Sequence, residues 1–227
     1  MANYIDIPLF PLPNLVLFPN AILPLHIFEE RYKEMINGCI DNDTVFGLVL
    51  LRDGDEESEE NIHRAGTTAR VIEVERLAEG RMNILCRAED RFRILHFAAQ
   101  RPYWKGTVEV FEDAPASEQS LEPLVEQVRS LYKRALDLSA RLTGGKAADL
   151  QLPDSPADLS FIIAYALGID PEDKQKLLEM RSTEERLRAL SLYSDNAVRK
   201  LEQQLVHLKI ASKVRGNGDL GRPKSGK

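Results

Sequence analysis

Residues 7–35, IPLFPLPNLVLFPNAILPLHIFEERYKEM, decide the fold of this 227-residue chain. Prolines punctuate the stretch at positions 8, 11, 13, 19 and 24. Each proline fixes φ and removes a backbone donor, so no helix is expected before Leu25 and only short strand pieces fit between the prolines. The apolar runs 15–18 and 21–23 are therefore predicted as short buried strands joined by a Pro-Asn turn, and residues 29–35 as part of a helix.

Several different short motifs are spread along the rest of the chain. They are Gly-Thr-Thr-Ala-Arg-Val at 66–71, Gly-Arg-Met-Asn-Ile at 80–84, Asp-Arg-Phe-Arg-Ile at 90–94, Pro-Tyr at 102–103 and Asp-Lys-Gln-Lys-Leu-Leu-Glu at 173–179. Together with Pro-Leu-His-Ile-Phe and Glu-Arg-Tyr in the opening stretch, this set resembles the Lon N-terminal, or substrate-binding, domain. The resemblance extends over roughly residues 5–208, with Glu79 standing where that family usually has Asp.

The resemblance implies an α+β fold, with a PUA-like β pseudo-barrel and one helix in residues 1–113 and a helical bundle in residues 118–214. The residue patterns agree with this division. Strand signals dominate before the segment EDAPASEQS at 112–120, and Met82, Ile84, Cys86 and Ala88 alternate on one face of a strand. Residues 215–227 are predicted to be a disordered polar tail.

Helical signals dominate after this segment. Apolar residues recur at helical spacing from Leu121 to Leu142 and end at a Gly-Gly pair. Three later helix starts carry residues that cap an amino terminus, namely Ser155 before Pro156, Asp170 before Pro171, and the Ser182-Thr183-Glu184-Glu185 box.

Common catalytic motifs are missing from the sequence. It contains no G-x-x-x-x-G-K-[ST], G-x-S-x-G or H-E-x-x-H pattern, and Thr-Gly-Gly-Lys at 143–146 is interpreted as the end of a helix. The four histidines are scattered, and His26, in an apolar context, is interpreted as a core residue. We therefore predict no catalytic, cofactor-binding or metal-binding residue and no cofactor. The chain, which ends at Lys227, is expected to lack the ATPase and Ser-Lys peptidase modules of full-length Lon and not to be an enzyme.

Composition and charge indicate the cellular compartment and the class of partner. Hydrophobic residues make up 43% and charged residues 29% of the chain, which is ordinary for a protein with a buried core. Isolated Cys39 and Cys86, and the lack of a long apolar run, predict a cytoplasmic protein without a membrane span. A net charge of −6 and the acidic run 53–60 disfavour nucleic acid, because RNA-binding surfaces are usually basic.

Aromatic residues provide the candidates for a binding surface. Phe18, Phe28, Phe46 and Phe92 fall in strongly apolar patterns and are predicted to lie in the core. A second group flanks the connection 98–102 and consists of Phe97, Tyr103 and Trp104. These three are the candidate polypeptide-binding residues, since aromatic side chains bury much area for little lost rotamer freedom. Core packing remains an alternative interpretation for them.

The resemblance implies a module that binds unfolded or exposed polypeptide segments and acts as an adaptor for a protease or chaperone in protein quality control. Two alternatives from other classes stay open. One is an RNA-binding PUA-like protein, and the other is a ligand-sensing scaffold similar to the Lon-like domain of cereblon, whose cysteine-rich zinc domain is missing here. The sequence also leaves open whether the protein acts alone or as a homodimer.

Overall fold

The computed structural model describes residues 4–52, 58–99, 102–115, 118–146 and 151–217, and these ranges contain six β-strands and five α-helices. The strands are β1 (Tyr4–Pro13), β2 (Ile22–Ile27), β3 (Phe46–Leu51), β4 (Ile62–Arg76), β5 (Met82–Ala99) and β6 (Lys105–Val110). The helices are α1 (Glu30–Asp41), α2 (Glu118–Thr143), α3 (Pro156–Ala166), α4 (Pro171–Glu179) and α5 (Thr183–Asn217). A short 3-10 helix, Ala78–Gly80, joins β4 to β5.

The six strands form one sheet with the order β2-β5-β4-β3-β1-β6, and β6 also pairs with β5. The sheet can close on itself because two long strands, β1 and β5, each change their pairing partner along their length. In β1, residues 4–8 pair with β6 and residues 9–13 pair in parallel with β3. In β5, residues 82–87 pair with β2 and residues 92–99 with β6. Five strands therefore close into a ring, and β2 lies beside it as an edge strand.

The first strand is longer than its prolines led us to predict. Residues Pro11 and Pro13 pair with Val49 and Leu51 of β3. The backbone N–H of Leu9 points to the carbonyl of Trp104, at 2.8 Å, and not to β3. Because N–H groups alternate in direction along a strand, the missing donors of Pro11 and Pro13 also face away from β3. The parallel ladder therefore loses no hydrogen bond.

The prediction of a strand at 15–18 is wrong, although Val16, Leu17 and Phe18 are buried as expected. Asn14 adopts a positive φ of 59° and ends β1. The carbonyl of Leu17 then accepts a hydrogen bond from the hydroxyl of Thr67, at 2.6 Å, which takes the place of a ladder partner. The turn that follows is confirmed, since Asn20 has a φ of 66° and the N–H of residue 21 bonds the carbonyl of Phe18.

The alternating residues 82–88 form a strand as predicted, and the Asp-Arg-Phe-Arg-Ile motif at 90–94 belongs to the same continuous strand, β5. The three predicted helix starts are real. The side chain of Ser155 accepts a bond from the N–H of Asp158, Asp170 accepts one from Glu172, and Ser182 accepts one from Glu185. The Gly-Gly pair ends α2, where Gly144 has a φ of 72°.

The strand region and the helices share a hydrophobic core. Val16, Phe18 and Leu50 pack in the same cluster as buried residues of α2, α3, α4 and α5. Among the described residues, no helix combines the length and apolar character needed to cross a bilayer. Residues 53–57 of the acidic run and residues 218–227 of the tail predicted at 215–227 lie outside the described ranges, whereas residues 215–217 of that tail belong to α5.

Candidate functional site

A groove with a volume of about 440 Å³ opens between the carboxyl end of β1, the edge strand β2 and the start of α1. Apolar side chains dominate its lining, which consists of Phe10, Pro11, Leu12, Pro13, Leu25, His26, Ile27, Phe28, Glu29, Arg31, Tyr32 and Leu51. This volume and this mixture of aromatic and aliphatic groups with few polar ones are typical of a binding site. The groove is therefore the candidate functional site.

The floor of the groove is aromatic and buried. The rings of Phe10 and Tyr32 lie 4.1 Å apart, and both side chains are buried. The guanidinium of Arg31 lies 4.4 Å above the ring of Tyr32 and forms an ion pair of 2.9 Å with Glu29. Since β2 leads directly into α1, the strand-to-helix junction fixes the wall of the groove relative to this floor.

Phe28, which lines the groove, is 59% exposed. The prediction that Phe28 lies in the core is wrong, whereas Phe18, Phe46 and Phe92 are buried as predicted. Phe28 follows the buried Ile27, so alternation places its side chain on the outer side of β2. An aromatic ring in open solvent at the rim of an apolar groove is suited to contact a partner.

His26 is also exposed, and its interpretation as a core residue is wrong. Its side chain lies on the outer face of β2, because Leu23 and Ile27 occupy the buried face and alternate residues point in opposite directions. The imidazole stacks beside the ring of Phe28, with 5.9 Å between centroids and 24° between planes. Its Nδ1 lies 2.7 Å from Oδ1 of Asn83 on the neighbouring strand β5.

None of the three aromatic residues singled out in the sequence lines this groove, although Tyr103 packs against the hydrophobic cluster that contains Phe10 and Tyr32 of its floor. Trp104 is only 5% exposed and packs edge-on against Phe97, with 5.2 Å between ring centroids. Phe97 is half-buried beneath the guanidinium of Arg64, and the half-buried Tyr103 packs against a different cluster. Residues 100 and 101 between them lie outside the described ranges. Polypeptide binding by Phe97, Tyr103 and Trp104 stays a prediction.

Three largely buried charged side chains, Asp113, Arg91 and Arg186, come from parts of the sequence that do not form the groove. Asp113, between β6 and α2, forms ion pairs with Arg91 of β5 and Arg186 of α5. Burial pushes the pKa of Asp113 upward, but hydrogen bonds and charge from Arg186 outweigh it and hold that pKa below its usual range. These side chains join the strands to the helices, and Arg91 and Asp113 also line a separate cavity of about 300 Å³ beside Phe111 and Phe161.

The described residues include two cysteine thiols, Cys39 and Cys86, and side chains of the types that bind metal ions. Burial raises the pKa of the Cys86 thiol to about 12, and it also raises the pKa of Cys39, so both thiols stay protonated at neutral pH. Within the described ranges, no three His, Cys, Asp or Glu side chains form a group that would hold a metal ion.

Comparison with known families and proteins gives one consistent result. The family model of the ATP-dependent protease La (LON) substrate-binding domain matches residues 6–193. A Lon protease of Syntrophus aciditrophicus is 30% identical over 214 residues, which are 92% of this chain and 26% of that protein. A Lon protease of Escherichia coli K12 is 25% identical over 216 residues, or 94% of this chain and 27% of that protein. The chain thus spans about a quarter of the length of these curated relatives.

Solved structures with the same fold are also known. The N-terminal domain of a Mycobacterium avium complex Lon protease aligns with a TM-score of 0.61 and 21% identity, covering 84% of this chain and 98% of that one. A Lon N-terminal domain protein from Xanthomonas campestris aligns with a TM-score of 0.58 and 23% identity, covering 82% and 96%. At these identities the likeness concerns the fold.

Proposed function

Because the chain belongs to the family of the ATP-dependent protease La (LON) substrate-binding domain, we propose that it recognises exposed segments of unfolded polypeptide in the groove beside β2. This membership confirms the resemblance inferred from the sequence motifs. The observation that carries the proposal is the exposed ring of Phe28 at the rim of an apolar groove. Unfolded chains expose the apolar side chains that such a groove takes up.

The edge strand favours an extended polypeptide as the occupant. β2 stands at the end of the sheet order and has a strand neighbour on one side, β5, among the described residues. A free strand edge offers backbone donors and acceptors to a second extended chain, while neighbouring pockets take its side chains. The occupant we propose is therefore a stretch of unfolded chain with apolar side chains.

We extend the proposal to the role of the protein. Its fold is of the PUA-like pseudo-barrel type followed by a helical bundle, and it acts in the cytoplasm as an adaptor that presents clients to a protease or chaperone. Binding is non-catalytic. Support for this last point comes from the sequence, which carries no phosphate-binding loop.

The test compares one groove variant with a matched control. Phe28→Ala removes the exposed ring at the groove, and Leu192→Ala removes a similarly exposed apolar side chain on α5, at 70% exposure, that does not line the groove. The probe is fluorescently labelled, unfolded casein, followed by anisotropy. Phe28→Ala is expected to weaken binding by about 2 kcal/mol, or roughly thirtyfold, with an unchanged melting temperature. Equal affinities for both variants and the wild type would contradict the proposal.

A further inference from the structure

Three polar side chains form a ladder across the outer face of β2, β5 and β4. His26 pairs with Asn83 in the strand register, and Asn83 pairs in turn with Glu75. The Nδ1 of His26 lies 2.7 Å from Oδ1 of Asn83, and the Nδ2 of Asn83 donates to Oε2 of Glu75 at 2.7 Å. One end of the ladder, His26, lines the groove.

The chemistry of the ladder determines where the imidazole carries its proton. An ionised carboxylate only accepts hydrogen bonds, so Glu75 requires Asn83 to present its NH₂ group. The carbonyl oxygen of Asn83 must then face His26, and a carbonyl only accepts. Nδ1 of His26 is therefore the protonated nitrogen, and in the neutral imidazole Nε2 is left as an acceptor.

We propose that His26 is a recognition residue, whose Nε2 accepts a hydrogen bond from a backbone N–H of polypeptide in the groove. Asn83 and Glu75 are positioning residues that hold the imidazole in the accepting tautomer. This inference rests on the proposed function and names the group that the groove recognises. Among the described residues, Asn83 is the hydrogen-bond partner of His26, through Nδ1.

The neighbouring groups explain why a backbone N–H is the expected donor. Glu29 and Arg31 of the groove are paired with each other, and its other lining side chains are apolar except for Tyr32, which is buried. Apolar client side chains meet Phe28 and its neighbours, and the donor that such a client always offers to His26 is its backbone N–H. Every residue except proline carries this donor, so the contact suits clients of many sequences.

The first experiment measures the tautomer without any ligand. Nitrogen-15 NMR of the imidazole is expected to show the proton of neutral His26 on Nδ1. In Asn83→Leu, which removes the acceptor, the proton is expected to move to Nε2 in most molecules. The double variant Asn83→Asp with Glu75→Gln rebuilds the ladder, because a carboxylate accepts from Nδ1 and an amide donates to it. A wild-type protein with the proton on Nε2 would overturn the inference.

The second experiment links the tautomer to binding. The probes are a short, apolar, unfolded peptide and the same peptide with methylated backbone nitrogens, which lack the N–H donor. His26→Phe keeps the ring next to Phe28 but removes the acceptor, and is expected to weaken binding of the unmodified peptide roughly fivefold. Asn83→Leu is expected to weaken it similarly, and the double variant is expected to restore it.

The methylated peptide completes the comparison. The wild type is expected to bind it several-fold more weakly than the unmodified peptide, while His26→Phe is expected to bind both equally. If Phe28→Ala weakens binding but His26→Phe does not, the role of His26 is refuted and the proposed function stands. If neither substitution affects binding, both fail. Loss of affinity in His26→Phe for the unmodified peptide alone establishes the acceptor role.

Discussion

Asp113 forms an ion pair with Arg186, whose side chain is 0% exposed, and thereby joins the end of the strand region to the last helix. The same carboxylate also pairs with Arg91 of β5, so two buried guanidinium groups share one counter-ion. Arg91 and Arg186 both donate to the carbonyl of Met180, at 2.6 and 3.0 Å. The strands, the connection to α2 and the start of α5 are thus held by one network.

Removing the charge of Asp113 is expected to destabilise the protein strongly. Asp113→Asn leaves two buried guanidinium groups without their counter-ion, so the free energy of unfolding should fall by about 3 kcal/mol. Urea unfolding at neutral pH measures this change. The matched control is Glu202→Gln, which breaks the exposed pair with Arg134 and should cost under about 1 kcal/mol. An equal loss of unfolding free energy in the two variants would show that the buried ion pairs stabilise the protein no more than the exposed one.

The same carboxylate predicts a dependence of stability on pH. The pKa of Asp113 is lower in the folded protein than in the unfolded chain, so its stabilising contribution is present above the unfolded pKa of about 4. That contribution is lost as the pH falls through the folded pKa. The difference in unfolding free energy between wild type and Asp113→Asn should therefore shrink below about pH 4. Urea titrations from neutral to acidic pH test this, and a constant difference would contradict it.

Trp104 is predicted to act as a core residue when it is truncated. Its side chain packs on Phe97, so Trp104→Ala should lower the free energy of unfolding by about 3–5 kcal/mol. Thermal melting checks this, and casein binding is measured on the same sample below the melting transition. An unchanged melting temperature with weaker binding would instead make Trp104 a contact residue.

Two glycines are expected to respond in opposite directions to a methyl group. A Cβ on Gly66 of β4 would collide with the carbonyl of Leu48 and lie 2.7 Å from Val49 Cγ1, so Gly66→Ala should destabilise by about 3 kcal/mol. In α1, Gly38 has nothing within 4 Å of the same position, and Gly38→Ala should stabilise by up to about 1 kcal/mol. Urea unfolding of both variants is the measurement. A tolerated Gly66→Ala would show that β3 and β4 are further apart than described.

Nucleotide chemistry is expected to be absent from the purified chain. Gly144 and its neighbours end α2 where a phosphate-binding loop would follow a strand, so neither ATP hydrolysis nor cleavage of casein should be detectable. A phosphate-release assay and gel electrophoresis test the two activities. ATP turnover that disappears in Lys146→Ala would identify a phosphate site at the end of this helix.

The sequence was sufficient for the elements whose signals are local. The Pro-Asn turn and the capping residues Ser155, Asp170 and Ser182 act within a few residues, and the structure confirms the turn and the helix starts that they predict. The outward position of His26 could also have been predicted from the sequence. Alternation with Leu23 and Ile27 places it on the opposite face, whereas an interpretation from the apolar surroundings alone gave the wrong side.

Features that depend on distant partners were beyond the sequence. The partners of Asp113 lie 22 and 73 residues away, and no spacing rule connects them. The groove likewise arises from β1, β2 and α1 meeting in space, so Phe28 was counted with the core. The long strand β5 pairs with β2 at one end and with β6 at the other. Alternation of apolar residues cannot distinguish one such strand from two separate strands.

Closure of the strand ring by β1 and β6 sets an order of events during synthesis on the ribosome. Tyr4 pairs with Glu109, so the amino-terminal strand emerges long before its partner exists. At about 5–20 residues per second, the first strand waits roughly 5 to 20 s for β6. Arg186 emerges 73 residues after Asp113, so β6 is complete before the second buried partner of this carboxylate has been made. A nascent chain of this protein therefore passes through a stage at which it exposes apolar surface, as the clients we propose for it do.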